Sequence, residues 1–176
     1  MQRPETKARA RALQILYAWE LTGEPSIETV VARISRIYGS APEGYDRGAD
    51  LAARAAAGRA EYDRRIADAA EHWRLSRVAA VERNILRLAL AELDEGLTPP
   101  KVVIAEAIKL AHWFAGSKAP AFVNGVLDAV ARELGVLRGS SWSTGTIART
   151  RTPAAPRSTC TRSSAAWREV ATPSTW

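Results

Sequence analysis

The segment Val81-Glu-Arg-Asn-Ile-Leu-Arg-Leu-Ala-Leu-Ala-Glu-Leu93 carries apolar residues at the spacing of an α-helix. The apolar residues that share its broad side are Val78, Val81, Ile85, Leu86, Leu88, Ala89, Leu90 and Leu93. A helix that is apolar over so wide an arc needs neighbours on several sides. The segment therefore predicts the central helix of an all-α bundle.

Helical periodicity also governs the flanking sequence, and no convincing alternating strand pattern interrupts it. Glycines stand where helices end, and Ser26, Thr98 and Pro120 stand where helices begin. The predicted helices are Glu5–Leu21, Ser26–Tyr38, Tyr45–Ala57, Arg59–Trp73, Val78–Glu95, Pro99–Ala115 and Pro120–Leu134. The break at Gly58 is the least marked, and one longer helix across it is the alternative. We expect a compact bundle of about seven helices in two small subdomains, with the last three helices packed together.

The composition changes after Leu137, because residues 139–176 are rich in Ser and Thr and lack apolar periodicity. Such a segment buries too little apolar surface to offset the entropy of ordering it. We predict a helical domain over residues 1–138 and a disordered tail over residues 139–176. The tail is either a basic arm, whose charge would strengthen binding to a polyanion such as RNA, or, as its scattered tryptophans favour, a segment without a selected function.

The net charge of +6 is unevenly distributed. The tail has five Arg and one Glu, which leaves 20 basic and 18 acidic residues in the rest of the chain. The helical part is therefore nearly balanced, and the isoelectric point alone does not indicate nucleic-acid binding. The lone Cys160 fits a reducing cytosol, and no apolar run approaches the roughly 20 residues of a membrane span. We expect a cytoplasmic protein without a membrane segment.

The sequence shows no catalytic constellation. His72 and His112 are its only histidines and lie on different predicted helices, and there is no glycine-rich phosphate loop or zinc-binding motif. The carboxylates stand beside Arg or Lys, where ion pairing is their simplest role. We therefore predict no enzymatic activity and no cofactor.

The run Phe122-Val-Asn-Gly-Val-Leu-Asp128 sets Asn124 and Gly125 side by side in an apolar helical pattern. Each costs a helix interior roughly 0.5–1 kcal/mol relative to alanine, so packing or function must compensate. We expect Gly125 to let another helix approach closely. Together with the basic residues of the first helix, this run favours an RNA-binding helical protein; those residues are Lys7, Arg9 and Arg11.

Three segments in order resemble the NusB family of bacterial transcription antitermination factors. They are Arg9-Ala-Arg-Ala-Leu-Gln-Ile-Leu-Tyr17, then Val81–Leu93 with Pro99-Pro-Lys-Val-Val-Ile104, and then Phe122–Asp128. The resemblance covers roughly residues 5–136. It implies a fold of two small helical bundles and binding to boxA, a short single-stranded RNA element, in a heterodimer with the ribosomal protein NusE. It also implies that the complex joins RNA polymerase and suppresses premature termination.

The resemblance, with the chemistry of unpaired RNA, indicates which residues contact the nucleic acid. Basic side chains attract phosphates, aromatic rings stack on bases, and an amide can hydrogen-bond a base edge. The predicted RNA-binding residues are Arg3, Lys7, Arg9, Arg11, Tyr17, Lys118, Phe122 and Asn124. Core packing is an equally open interpretation for Tyr17 and Phe122, and Asp128 is expected to pair with an arginine.

The helix that begins near Val81 follows the family's partner-contacting helix, so the predicted partner-binding residues are Glu82, Arg83 and Arg87. Glu82 suits a basic ribosomal protein, with a solvated helix charge as the alternative. The chain departs from the family pattern in its thinner basic run, in Ala105, and in His112-Trp113, where Trp113 is also a candidate core residue.

Two other functions remain open from the sequence. One is an RNA-binding appendage like the domain that precedes the catalytic domain of ribosomal RNA cytosine methyltransferases. That interpretation requires a long α/β domain after Leu137, which 38 Ser/Thr-rich residues cannot supply. The other is a helical interaction module without RNA binding, suggested by the thinner basic run.

Overall fold

The computed structural model describes residues 3–38, 44–70 and 78–135, and every regular element in these ranges is a helix. The helices are α1 (Pro4–Thr22), α2 (Ile27–Tyr38), α3 (Tyr45–Ala57), α4 (Arg59–Ala69), α5 (Ala80–Glu95), α6 (Pro100–Phe114) and α7 (Ala119–Glu133). The predicted all-α fold with seven helices is confirmed for this part of the chain. The predicted tail and the predicted end of the fourth helix at Trp73 lie outside the described residues. In the described ranges, no helix combines the length and the apolar character needed to cross a membrane.

Glycines end α1 and α5 where the sequence predicts. Gly23 and Gly96 adopt left-handed φ angles of 64° and 70°, which glycine accepts without the strain of a Cβ atom. Their backbone N–H groups donate to the carbonyl oxygens of Trp19 and Glu92, which closes the last turn of each helix. The chain also breaks at Gly58, so α3 and α4 are separate helices.

Helix α5 is the centre of the bundle, as predicted. Every residue from Asn84 to Leu93 is buried, so no side of this segment faces solvent. It contacts α1, α3, α4, α6 and α7, and the last three helices pack against one another. Its fully buried aliphatic side chains, Ile85, Leu86 and Leu90, supply much of the core.

Helices α1 and α3 approach closely because small residues meet at their crossing. Ala8 and Ala12 of α1 are buried there. A Cβ atom added to Gly48 of α3 would lie 2.7 Å from the Ala8 carbonyl oxygen and 2.9 Å from the Arg11 Cβ. The glycine is therefore required by the distance between the two helices.

Gly125 differs from Gly48, and the prediction that Gly125 lets another helix approach closely is wrong. The residue is exposed on α7, and nothing lies within 4 Å of the position its Cβ would occupy. Packing does not compensate for the cost of this glycine.

Replacing Gly48 with alanine is expected to lower the free energy of unfolding by about 1–3 kcal/mol, because the new methyl group overlaps the α1 backbone. Gly125→Ala is the matched control. Its methyl group meets open space, so the higher helix propensity of alanine should raise stability by up to about 1 kcal/mol. Urea denaturation of both variants measures the difference. A Gly48→Ala variant as stable as the wild type would contradict the close approach.

Candidate nucleic-acid interface

Arg9, one of the predicted phosphate contacts, lies inside the bundle. Its Nε and Nη2 donate to the two carboxylate oxygens of Glu92 on α5 at 2.7 and 2.8 Å. Its Nη1 lies 3.7 Å from Glu106 on α6, and the residue is only 5% exposed. The expectation that Arg9 binds RNA is therefore corrected, since its guanidinium neutralises two buried carboxylates and joins three helices.

Three side chains surround the Glu106 carboxylate, those of Thr6, Arg9 and Lys109. The Thr6 hydroxyl donates to one carboxylate oxygen at 2.6 Å, and the Lys109 ammonium donates to the other at 2.5 Å. Burial acts to raise the pKa of Glu106, but the hydrogen bonds from Lys109 and Thr6 and the charge of Arg9 lower it below its ordinary value. We call Thr6, Arg9, Glu92 and Glu106 the Arg9 cluster; it ties the start of α1 to the end of α5.

A second cluster joins the other end of α1 to the start of α5. Its members are Glu20, Asp63, Arg83, Asn84 and Arg87, and we call it the Arg87 cluster. Burial acts to raise the pKa of Glu20, but hydrogen bonds from Arg83 and Asn84 and the charge of Arg87 lower it.

The Arg87 cluster corrects two of the predicted partner contacts. Arg87 is 1% exposed and donates to both carboxylate oxygens of Asp63 at 2.7 Å. Arg83 is partly buried and donates to Glu20 and to the Val78 carbonyl oxygen. Both guanidinium groups serve the fold, so a partner protein has no free access to them. Glu82 is partly exposed and makes no ion pair with any residue in the described ranges, so it stays a candidate.

The remaining predicted residues of α1 reach its surface. Arg3 is exposed just before the helix, and Lys7 and Arg11 are partly exposed one turn apart. Arg11 donates to the side-chain oxygen of Gln14 at 2.9 Å. Tyr17 is 37% exposed, so it is not a core residue. These side chains leave a basic strip with an aromatic ring at its far end.

The start of α7 presents the other predicted group. Lys118 is exposed, and it makes no ion pair with any described residue. Phe122 is partly exposed and also packs against the core. Its ring can therefore fill part of the core and still present surface for stacking. The Asn124 amide donates to Asp128 at 3.4 Å, and among the described residues no arginine pairs with Asp128, so the expected arginine partner is not found there.

The far end of the basic strip lies toward the same end of α5 as the start of α7, whereas Lys7, two residues before Arg9, lies toward the opposite end. The Arg9 and Arg87 clusters show that α1 runs antiparallel to α5, with Glu20 beside Asn84. A short turn after Gly96 folds α6 back along α5, so α6 ends near the start of α5. Tyr17, late in α1, and Lys118, just after α6, therefore lie toward the same end of the bundle.

A shallow groove runs between α1 and α6 over α5, and the residues at its floor are buried. The Thr6–Glu106 hydrogen bond bridges it near the start of α1. A narrow crevice along it is lined by residues of all three helices: Arg9, Ile85, Leu88, Ala89, Glu92, Val103, Ala107 and Leu110. From the Thr6–Glu106 hydrogen bond, α1 continues toward Tyr17 and α6 continues toward Lys118.

The lysines and arginines have different environments. Exposed or partly exposed arginines on α3 and α4 face carboxylates, as in the pairs Arg54–Glu95, Arg64–Glu61 and Arg65–Asp94. Residues 99–127 contain three exposed lysines, Lys101, Lys109 and Lys118, and their single acidic residue, Glu106, is buried. The surface of α6 and the following turn is therefore cationic, although the helical part as a whole is nearly neutral.

Sequence reasoning missed the aromatic pair at the end of α6. Trp113 and Phe114 are 46% and 43% exposed, so Trp113 does not fill the core. Their rings meet edge to face with centroids 6.4 Å apart. The helical spacing contained a signal, because Trp113 falls outside the arc of the buried residues Val103, Ala107 and Leu110.

Comparison with known proteins identifies relatives of this chain. Residues 6–132 match the NusB family, a range that runs from the first turn of α1 into the last turn of α7. The transcription antitermination protein NusB of Solibacter usitatus is 45% identical over 129 residues, which are 73% of this chain and 88% of the relative.

Solved structures agree with the sequence comparison. NusB of T. maritima superposes with a TM-score of 0.66 at 28% identity, covering 76% of this chain and 94% of the other. The structure of the antitermination factors NusB and NusE in complex with double-stranded RNA contains a chain with a TM-score of 0.65 at 31% identity. That match covers 76% of this chain and 99% of the other.

Proposed function

Because this chain belongs to the NusB family, we propose that it is a transcription antitermination factor that binds single-stranded boxA RNA together with NusE. The observation that carries the proposal is the family match through all seven helices. The similarity to a chain of the structure that contains NusB, NusE and double-stranded RNA supports NusE and an RNA as partners, and the single-stranded boxA element follows from the family. The protein would act in the bacterial cytoplasm, within the antitermination complex of RNA polymerase, and the proposed role includes no chemical step.

The exposed cations are the proposed phosphate contacts. Arg3, Lys7 and Arg11 extend along α1, and Lys118 precedes α7. Unpaired RNA exposes its phosphates along one flexible strand, which separated cations on a surface can follow. Arg9 is left out because its charge is already compensated by Glu92.

The proposed base contacts are Tyr17, Phe122 and Asn124. The two rings are only partly covered, so each has surface on which a base can stack. The Asn124 amide nitrogen donates to Asp128, which leaves the side-chain oxygen to accept a hydrogen bond from a base edge. These contacts would position unstacked bases beside the phosphate-binding cations.

Glu82 is the proposed contact for NusE. It lies in the first turn of α5, next to Arg83, which the Arg87 cluster fixes to the end of α1. A carboxylate that pairs with no described residue, on a fixed helix end, suits a basic partner by charge complementarity. Charge reversal at Glu82 should therefore weaken NusE binding and leave RNA binding by the isolated protein unchanged.

A binding titration tests the function directly. Labelled boxA RNA and a scrambled RNA of equal length are titrated with the protein, with and without NusE. The proposed function requires a preference for boxA that grows when NusE is present. Equal affinity for the two RNAs under both conditions would remove boxA recognition from the proposal.

Replacing Lys7 and Lys118 together with alanine is expected to weaken RNA binding and to flatten its salt dependence. Each phosphate contact with a single strand contributes about 0.7 to the slope of log K against log salt, so the slope should fall by about 1.4. Arg36→Ala, an exposed cation on α2, is the control and should leave the slope unchanged. Titrations at several salt concentrations measure the slopes. A double variant with the wild-type slope and native helicity would exclude these lysines from the interface.

A further inference from the structure

We infer that Trp113 is a base-stacking residue for unpaired RNA, so that the RNA-binding surface continues along the groove between α1 and α6. The inference rests on the proposed function and adds a contact that this function does not itself require. Its starting point is a large aromatic side chain that is nearly half exposed on a cationic surface.

The position of Trp113 on α6 places it on the rim of the groove. It follows Glu106 by seven residues, so it lies about two turns and about 10 Å farther along the same side of the helix. Tyr17 follows Thr6 by eleven residues and lies about three turns farther along the corresponding side of α1. Because Thr6 and Glu106 are hydrogen-bonded across the groove, Tyr17 and Trp113 stand on its two rims.

The Trp113 ring contacts one aromatic neighbour and keeps free surface. Its edge-to-face contact with Phe114, at an interplanar angle of 83°, restricts the orientation of the indole. Nearly half of the residue nevertheless remains exposed. A partly exposed ring presents surface to a base, and stacking on such a ring tolerates any base.

The surrounding charge favours RNA over a protein as the occupant. Lys109 lies one turn before Trp113 on the same side of α6 and is half exposed, although it also pairs with Glu106. Lys118 follows in the loop between α6 and α7 and makes no ion pair with a described residue. Residues 99–127 expose no carboxylate that would repel phosphate. A basic protein such as a ribosomal subunit component would be repelled by the same lysines and is better matched by Glu82.

The test compares Trp113→Ala, Trp113→Phe and the control Ile37→Ala, which removes an apolar side chain that is 76% exposed on α2. Single-stranded boxA RNA is used alone and with four adenosines added at either end. Trp113→Ala should lose about tenfold in affinity for at least one of these RNAs, within the range of about five- to a hundredfold typical of stacked bases. Trp113→Phe should retain most of the affinity, and Ile37→Ala all of it.

Salt dependence separates stacking from charge. A stacked ring releases no counterions, so the slope of log K against log salt should be the same for Trp113→Ala and the wild type. Thermal melting should be unchanged, because an exposed ring contributes little to the core.

Three results would overturn the inference. One is wild-type RNA affinity for Trp113→Ala with every RNA; another is an equal loss for Trp113→Ala and Trp113→Phe. The third is a loss of NusE binding or of self-association, measured without RNA, while RNA affinity stays intact. If the wild type itself binds no RNA, the proposed function fails, and this result is distinct from the other three.

Discussion

Replacement of Arg9 with alanine is expected to lower the free energy of unfolding by about 3–5 kcal/mol, the usual cost of removing one partner from a buried ion pair. The side chains of Arg9 and Glu92 are only 7% and 11% exposed, so solvent cannot replace the lost guanidinium. Glu92 would keep its charge without a compensating cation, and Glu106 would lose one of its neighbours. Urea denaturation followed by circular dichroism measures the change.

A double variant separates the ion pair from simple packing loss. Arg9→Met combined with Glu92→Leu removes both charges and fills part of the space, so it should regain much of the stability that Arg9→Ala loses. Lys7→Ala, two residues away on a partly exposed position, should melt like the wild type. An Arg9→Ala variant with unchanged stability but weakened RNA binding would restore Arg9 to the RNA-binding surface.

Replacement of Arg87 with alanine should lower the free energy of unfolding by about 3 kcal/mol, near the lower end of the range for buried pairs. Arg87 connects Asp63 of α4, Glu20 of α1 and Asn84 of α5. Asp63 is 24% exposed, so water can partly solvate its carboxylate after the change. A loss of this size should lower the melting temperature by about 10 °C in a domain of this length.

Arg87→Lys is the informative control for this cluster. Lysine keeps the positive charge but cannot form the two parallel hydrogen bonds to Asp63, so its stability should fall between those of the wild type and Arg87→Ala. Equal stability for Arg87→Lys and Arg87→Ala would mean that the forked geometry carries the whole effect. Wild-type stability for Arg87→Ala would show that the cluster contributes nothing to the fold.

The helices were predictable because their signals are local. Apolar spacing marks α5, and Gly23 and Gly96 end helices through backbone conformations that depend on their own residue type. Glycine inside a helix was a weaker guide. The rule that such a glycine permits close packing holds at Gly48, which meets the α1 backbone, and fails at Gly125, which meets open space. Only the position of a neighbouring helix distinguishes the two.

The site was predicted less well because similar charges have different surroundings. Lys7 and Arg9 are both basic residues near the start of α1, yet only Arg9 faces Glu92, which is 83 residues away in the chain. The spacing held a clue, since Arg9 shares the buried side of α1 with Ala12 and Leu16. Arg87 likewise lies within a helix segment that is buried on every side. A basic residue that shares the helical spacing of the buried apolar residues is better interpreted as part of an internal ion pair.

The two ionic clusters also bear on how readily the outer face of α1 can capture a flexible ligand. With one cluster at each end, the helix can neither rotate about its axis nor slide along α5 without breaking charged hydrogen bonds. The backbone positions of Lys7, Arg11 and Tyr17 are thus fixed during folding, while their partly exposed side chains keep rotational freedom. A backbone that is pre-organised in this way leaves only these side chains and the proposed ligand to be ordered on association, which lowers the entropic cost of binding.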